Sequence, residues 1–312
     1  MNRIRGAIGI DLGGTGIKSA LVGADGSVRH FRTTPTEASR GRDALLVKLY
    51  DIIEEHRRTA EQEGMQLLGI GIGTAGSVDR SGTVSYATEH LPGWTGTPLR
   101  QLLEQESGLP VTVMNDVHAI ALGEQWKGAA QAIPDFACVA IGTGIGGCIV
   151  KGGTIEGGDD GYAGAFGHHI VAMGGLPCTC GNRGCWENYA SVTGLKNLMR
   201  KHEAPDSWVQ DPRELFAAAR GGDARSLDLI GQYSEIIAIG LSNLAHILNC
   251  RRFLLAGAIT AQGDFLLDRI GEHLRRIVMP VYWGDGILLH AAVLGEHAGV
   301  VGAASSVAGM RN

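Results

Sequence analysis

Residues 7–22, AIGIDLGGTGIKSALV, place an apolar run on each side of a glycine-rich turn. The runs 7–10 and 17–22 predict two strands, and the turn between them carries one carboxylate, Asp11. No helical pattern follows the glycines at once, so the stretch predicts a β-hairpin and not the strand-to-helix loop of a Walker or Rossmann motif. Glycine at such a tip lets the backbone approach a ligand closely, as phosphate-binding loops require.

A second hairpin repeats this arrangement later in the chain. Residues 136–141 predict a buried strand, 142–147 (GTGIGG) a glycine-rich turn, and 148–150 the returning strand. Helical patterns at 43–63 and 223–249 alternate with further apolar strands, which indicates α/β domains with parallel or mixed sheets. The repeated hairpin predicts a duplicated fold with a cleft between its two halves.

Composition and charge limit the class of protein. At 312 residues the chain is long enough for two domains with substantial cores, and its net charge is −5 without a long basic run. We therefore expect no nucleic-acid partner. No apolar run reaches about 18 residues, so we expect no membrane span. Three isolated cysteines lie in apolar surroundings and indicate reduced packing thiols in a cytoplasmic protein (Cys138, Cys148 and Cys250).

The other three cysteines cluster within residues 161–187, GYAGAFGHHIVAMGGLPCTCGNRGCWE. They are Cys178, Cys180 and Cys185, and His168 precedes them. Thiolates and a neutral imidazole are the ligands of a closed tetrahedral zinc site, and the glycine-bounded run before the last cysteine can form the tight turn that such a site needs. Without secretory features, this clustering favours a metal over disulfides. Three buried, inert thiols are the alternative.

Local signals mark the ends of a helix and a strand in the first half of the chain. Thr97 is the predicted cap of a helix with Pro98 at its first position and Gly108 just past its end. The next apolar strand, 111–114, ends abruptly in Asn115-Asp116. A plain turn is one interpretation of this pair.

A catalytic role for Asp116 is the other interpretation. Phosphoryl transfer requires a base that accepts the hydroxyl proton, N–H groups that hold phosphates, and a magnesium ion. Asp116 would supply the base because it follows a buried strand near the middle of the chain, where the two halves meet. The glycine loops would supply the N–H groups, and Asp11 is placed to contact magnesium.

Seven motifs together resemble the ROK family (repressors, open reading frames and kinases), which includes bacterial glucokinases, fructokinases and N-acetylmannosamine kinases. The resemblance extends from residue 7 to about 305. Its motifs are DLGGTGIK (11–18), LPGW (91–94), NDVHAIALGE (115–124), GTGIGGCIV (142–150), GHH (167–169), CTCGNRGCWE (178–187) and AGAIT (256–260).

The resemblance implies an actin-like ATPase (ribonuclease H-like) fold, with two α/β domains flanking a cleft and a small zinc-bound module. We expect an N-terminal domain of 1–117 plus about 291–312, which carries the first phosphate loop. The C-terminal domain would be 118–290, with the second phosphate loop and the zinc module. The implied reaction is ATP- and magnesium-dependent phosphorylation of a hexose hydroxyl, usually the 6-hydroxyl, by a homodimer.

The resemblance also assigns roles to individual residues. Asp116 matches the general base. The implied sugar contacts are Asn115, His168, Glu187 and Gly76. The implied nucleotide contacts are Asp11, Gly13, Gly14, Thr15, Lys18, Thr143, Gly144, Gly146 and Gly257. The implied zinc ligands are His168, Cys178, Cys180 and Cys185. For Glu187, a surface carboxylate in the first turn of a helix is the alternative, since the helix dipole favours acids there.

Three positions depart from the family pattern. Ala165 stands where the family usually has a glutamate that contacts sugar hydroxyls, while His90 and His118 each replace an asparagine. Loss of the carboxylate either weakens binding of a simple hexose or leaves space for a substituent on the sugar. His169 is a candidate to compensate. The alternative substrates are a modified sugar or a polyol: an amino sugar, an N-acetylhexosamine, a glycoside or an inositol.

A sugar-binding regulator is the rival from another class of protein. Repressors of the family carry an N-terminal helix-turn-helix segment of several dozen residues. Here Asp11 already belongs to the first phosphate loop, so we expect no such segment. The intact Asp116 argues against a sugar-binding relative without activity.

Overall fold

Residues 4–284 and 286–311 are described here from a computed structural model. The strands are β1 (Arg5–Leu12), β2 (Gly16–Gly23), β3 (Val28–Pro35), β4 (Gln66–Thr74), β5 (Ser77–Val78), β6 (Val84–Tyr86), β7 (Val111–Asn115), β8 (Phe136–Ile141), β9 (Ile145–Lys151), β10 (Thr154–Ile155), β11 (Arg252–Ala256) and β12 (Leu288–Ala291). The α-helices are α1 (Arg42–Gln62), α2 (Leu99–Ser107), α3 (Asp116–Lys127), α4 (Glu187–Ala190), α5 (Val192–Lys201), α6 (Asp206–Gln210), α7 (Pro212–Arg220), α8 (Ala224–Leu248), α9 (Asp264–Ile277) and α10 (Ala298–Ser305).

The chain divides into two compact units. The first comprises Met1–Ile133, Gly153–Ala163 and Val293–Asn312, and the second comprises Pro134–Gly152 and Gly164–Ala292. Each unit contains one of the two predicted glycine hairpins, β1–β2 in the first and β8–β9 in the second. Both hairpins are confirmed, because in each a short glycine turn joins two antiparallel buried strands.

The two units repeat one sheet topology. In the first unit the order is β3-β2-β1-β4-β7, with β1, β4 and β7 parallel. In the second unit β9, β8, β11 and β12 follow the same order, with β8, β11 and β12 parallel. This repetition agrees with the predicted duplication and places the carboxyl ends of three parallel strands at one edge of each sheet.

Helices cover both faces of the sheet in the first unit. One core joins the sheet to α1 and α2 and includes Leu49 and Trp94, while a second core joins it to α10 and includes Val300 and Ala304. The helix α10 lies directly on the strands, because a Cβ on Gly71 would overlap the backbone of this helix. In the described part of the chain, no helix has the length and apolar content needed to cross a membrane.

The helix α3 packs backbone to backbone on α10. A Cβ on Gly302 would overlap the carbonyl of Ala119, so only glycine permits this approach. A boundary after residue 117 would separate these two helices. The compact units therefore differ from the predicted domains, 1–117 with 291–312 and 118–290, in placing 118–133 and 153–163 in the first unit.

The predicted cap of α2 is wrong. The helix begins at Leu99, Pro98 occupies the cap position, and no side chain caps the first turn. Thr97 instead pairs with Val84 in an antiparallel bridge, where its carbonyl accepts the Val84 N–H at 2.9 Å. Its hydroxyl is buried and, within the described residues, has no hydrogen-bond partner.

Candidate functional site

The first glycine loop is a hydrogen-bonded turn at the tip of β1–β2. The Gly13 N–H donates to the Gly16 carbonyl at 3.0 Å, and the Thr36 hydroxyl donates to the Gly13 carbonyl at 2.7 Å. Asp11 lies opposite Lys18 in the hairpin, with Oδ2 and Nζ 3.6 Å apart. Burial raises the pKa of Asp11, and the charge of Lys18 opposes this shift. This turn brings together the predicted nucleotide contacts of the first unit: Asp11, Gly13, Gly14, Thr15 and Lys18.

The second predicted element of the first unit is the Asn115-Asp116 pair. It is not a plain turn, because Asn115 caps α3 by accepting the Val117 N–H at 2.9 Å. The Asn115 side chain also donates to the Gly76 carbonyl at 2.9 Å, which links two predicted sugar contacts directly. Asp116 is the first residue of α3, and its Oδ1 accepts the Val117 N–H at 2.9 Å.

Asp116 has the electrostatics of a base that works near neutral pH. Burial and, secondarily, the negative charge of Asp11 raise the pKa of Asp116 to about 7. The two carboxylates interact because β1 and β7 end at the same edge of the parallel part of the sheet. A carboxylate with such a pKa can take up a proton from a reacting hydroxyl and release it again at neutral pH.

In the second unit the other predicted nucleotide contacts also lie at one sheet edge. Thr143 and Gly144 form the tip of β8–β9, and Gly146 lies in β9. Gly257 follows β11, the parallel neighbour of β8, and has φ +87°. A Cβ there would overlap the Ile141 carbonyl at the end of β8, so glycine is needed for both reasons.

Glu187 begins α4, as the alternative interpretation held, but it is not a free surface carboxylate. It is partly buried, and its Oε2 accepts the Ile145 N–H at 2.8 Å. The contact ties the start of α4 to the second glycine loop. A sugar contact by Glu187 stays a prediction.

The predicted metal ligands converge on one point. The ligand atoms of His168, Cys178, Cys180 and Cys185 all lie within 4.8 Å of one another. Cys180 Sγ is 3.5 Å from Cys185 Sγ, and Cys178 Sγ is 3.7 Å from His168 Nδ1. Tetrahedral zinc with bonds to sulfur of the usual length holds its sulfur ligands about 3.8 Å apart, so the four residues fit this ion.

The backbone also shapes the cluster. Burial raises the pKa of the Cys185 thiol to about 12, so a metal ion that binds this sulfur must displace its proton. The turn between Cys178 and Cys185 is held by the backbone, since the Cys178 N–H donates to the Asn182 carbonyl at 2.8 Å. Of the three cysteines, Cys178 and Cys185 are buried but Cys180 is exposed, so the alternative of three buried thiols does not describe Cys180.

The departures from the family pattern occupy different environments. Ala165 is exposed at the start of the turn Phe166–His168. His118 is buried in α3, and this burial lowers its pKa, whereas His90 is exposed beside Gly14.

His169 is held by its own neighbours. Its Nδ1 donates to the Phe166 carbonyl at 2.6 Å, and its ring lies 5.2 Å from that of Trp186. Its Nε2 is buried and finds no partner among the described residues. These contacts do not place His169 as a replacement for the carboxylate missing at Ala165.

Sequence reasoning missed Glu124, which is fully buried in α3. Its carboxylate accepts backbone N–H groups from two segments that lie far apart in the sequence. The donors are Ala129 in one segment and Val293 and Leu294 in the other. The available signal was an acidic residue in the otherwise apolar second half of NDVHAIALGE.

Known proteins resemble this chain over nearly its whole length. It is 32% identical to a glucokinase of Halalkalibacterium halodurans, over 95% of this chain and 92% of the relative. It is 31% identical to a xylose repressor of Caldicellulosiruptor bescii, over 85% of this chain and 69% of the repressor. The crystal structure of a ROK family glucokinase from Streptomyces griseus in complex with glucose and AMPPNP matches with a TM-score of 0.82 and 32% identity, over 97% of this chain and 99% of that one.

These similarities settle the fold and the family. The structural match confirms the predicted actin-like ATPase fold, with mixed α/β sheets. The model of the ROK family matches residues 7–309, a range that includes both glycine hairpins, Asp116 and the Cys/His cluster. The chain belongs to the ROK family.

Proposed function

We propose that this protein is a sugar kinase that transfers the γ-phosphoryl group of ATP to a hexose hydroxyl, with the 6-hydroxyl as the first candidate. The observation that carries this proposal is Asp116, a carboxylate with a pKa of about 7 at the start of α3, at the same sheet edge as Asp11 and the first glycine loop. The similarity to glucokinases supports a sugar as the acceptor.

The proposed chemistry requires little of the protein beyond positioning and one proton transfer. Oδ1 of Asp116 is engaged by the Val117 N–H, so Oδ2 is the oxygen that accepts the hydroxyl proton. The sugar oxygen forms a bond to the γ-phosphorus while the bond from that phosphorus to the bridging oxygen breaks, which leaves ADP. Since Asp116 must be ionised to act, turnover should rise with pH up to about 7.

The remaining residues have proposed binding roles. Magnesium, when bound, would neutralise phosphate charge, and the Asp11 carboxylate is the group that would hold it. The N–H groups of both glycine loops would hold phosphate oxygens. The proposed sugar contacts are Asn115, Gly76, His168 and Glu187, and a zinc ion on the Cys/His cluster would fix the last two in place. Homodimer formation and a cytoplasmic location stay predictions.

A screen of ADP release across hexoses, amino sugars, N-acetylhexosamines, glycosides and inositols tests the proposal. We expect sugar-dependent ADP release by the wild-type protein and its loss in Asp116→Asn. A protein that binds a sugar but releases no ADP with any of them would be a sugar-binding regulator, as the similarity to a repressor allows.

A modified sugar is the second candidate substrate, because Ala165 is exposed and His169 is engaged elsewhere. Ala165→Glu restores the carboxylate. If Ala165 only removes a carboxylate that would bind sugar hydroxyls, the variant should phosphorylate plain glucose better than the wild-type protein. If the space holds a substituent, the variant should instead lose activity on the natural substrate.

A further inference from the structure

The second glycine loop is held from outside by one short segment, residues 187–193. The Val192 N–H donates to the Gly142 carbonyl at 2.9 Å, and the Thr193 hydroxyl donates to the Thr143 carbonyl at 2.9 Å. Within the loop, the Gly142 N–H donates to the Gly144 carbonyl at 2.9 Å. These bonds engage the carbonyl groups of the loop. In the described structure the N–H groups of Thr143 and Gly144 donate no hydrogen bond, so they are free for a ligand.

Glu187 supplies the contact on the other side of the loop. Its Oε2 accepts the Ile145 N–H at 2.8 Å, and a Cβ on Gly144 would overlap the same oxygen. The absence of a side chain at Gly144 therefore makes room for the carboxylate and not only for a turn. Among the described residues nothing donates to Oε1, so one oxygen is committed to the loop and the other is available.

The backbone of Gly167 closely approaches the carbonyl of Ile145. A Cβ on Gly167 would overlap the Ile145 carbonyl, so this backbone lies against the strand start. Gly167 directly precedes His168, and Glu187 follows Cys185 by two residues. Ile145 is thus contacted at its N–H and at its carbonyl by neighbours of two candidate metal ligands.

We propose that Glu187 is a positioning residue for nucleotide binding: through the Ile145 N–H its carboxylate holds the second glycine loop with the N–H groups of Thr143 and Gly144 ready for phosphate. The proposal rests on the proposed kinase function, since it requires this loop to bind ATP. Holding the loop in its binding conformation lowers the ordering cost on association. Removal of the carboxylate should therefore weaken nucleotide binding as well as any sugar contact.

Binding measured separately for each ligand tests this role. AMPPNP with magnesium is titrated calorimetrically into the metal-loaded protein without sugar, and the sugar identified by the screen is titrated without nucleotide. Glu187→Ala should weaken AMPPNP binding about tenfold or more, because it removes a charge-assisted hydrogen bond. Glu187→Gln keeps an acceptor oxygen for the Ile145 N–H and should recover most of the affinity. Thr193→Val removes the second anchor and should weaken AMPPNP binding without changing sugar binding.

The control variant is Glu272→Ala, an exposed glutamate of α9 in the same unit, which should bind both ligands as the wild-type protein does. Unchanged melting temperature and metal content show that each variant is folded. If Glu187→Ala binds AMPPNP like the wild-type protein and loses only sugar affinity, the positioning role is overturned while the kinase proposal stands. If the wild-type protein itself binds no AMPPNP, the kinase proposal fails and this inference fails with it.

Discussion

Glu124 Oε1 accepts a hydrogen bond from the backbone N–H of Leu294 at 2.7 Å, across 170 residues of sequence. The same oxygen accepts the Val293 N–H at 2.9 Å, and Oε2 accepts the Ala129 N–H at 2.8 Å. The chain leaves the first unit after Ile133, returns to it for Gly153–Ala163 and enters it for the last time at Val293. One fully buried carboxylate therefore fastens the end of α3 to the start of this last segment.

Glu124→Ala should be among the most destabilising single substitutions in this protein. It leaves three N–H donors of partly buried hydrogen bonds without an acceptor, and we expect a loss of about 3 kcal/mol of unfolding free energy. Thermal unfolding followed by circular dichroism measures this loss. Glu61→Ala, at an exposed position of α1, is the matched control. Equal melting temperatures for the two variants would show that water satisfies the three donors.

Asp116→Asn should abolish efficient turnover and stabilise the fold. Loss of the base should lower kcat about 100-fold to 10,000-fold. The folded state raises the pKa of Asp116 to about 7, so above pH 7 it holds an unfavourable charge that asparagine lacks. We expect a gain of roughly 1–3 kcal/mol in unfolding free energy at pH 8. Asp43→Asn, an exposed residue of α1, should change neither quantity. Normal turnover in Asp116→Asn would remove Asp116 as the base.

His56 should make the protein sensitive to acid. Its Nε2 lies 2.9 Å from the Ser19 hydroxyl in the core, and burial lowers the pKa of His56 to about 4. In the unfolded chain His56 has the ordinary histidine pKa of about 6.5. The stability that neutral His56 contributes to the fold is therefore complete above that pH and is lost as the pH falls towards 4. The loss amounts to about 3 kcal/mol.

Urea unfolding of wild-type protein and His56→Gln at a series of pH values isolates this effect. The stability difference between them should shrink as the pH falls from 6.5 to 4. Asp116 shifts stability in the opposite sense in this range, but it does so in both proteins and cancels from the difference. The exposed His202→Gln is the control and should stay parallel to wild type. A constant gap between wild type and His56→Gln would mean that His56 is already charged in the folded state.

The Cys/His cluster should bind one zinc ion per chain. Cys180→Ala removes one of four ligands, and we expect it to lower the zinc content measured by atomic emission and to expose residues 161–187 to proteolysis. Cys250→Ala is the control, because Cys250 is not one of the four candidate ligands and its thiol donates to the Arg252 carbonyl instead. Zinc-free wild-type protein after purification without chelators would refute the metal site.

Thr97→Val should be neutral or stabilising. Thr97 is fully buried and its hydroxyl has no partner among the described residues, so valine of similar shape removes an unsatisfied polar group. A capping threonine would instead cost about 1 kcal/mol when replaced. Chemical unfolding of the variant separates the two cases, and a clear loss of stability would mean that the hydroxyl has a partner in solution.

Elements defined by neighbouring residues were predictable from sequence. The strand predicted at 136–141 has the same bounds as β8, and the helix predicted at 43–63 differs from α1 (Arg42–Gln62) by one residue at each end. The Cys/His cluster was predictable because its three cysteines lie within eight positions. The cap at Thr97 was wrong, because a bridge to Val84 competes with the local capping pattern.

The sequence by itself determined the two glycine hairpins, the Cys/His cluster and the family, because each depends on residue types at short spacing. Only the tertiary structure decided which donors reach Glu124, that Glu187 holds Ile145, and that the pKa of Asp116 lies near 7. Those properties arise from groups far apart in the chain and from the exclusion of water around them. Burial and long-range hydrogen bonds exist only after the chain has folded, so no local pattern encodes them.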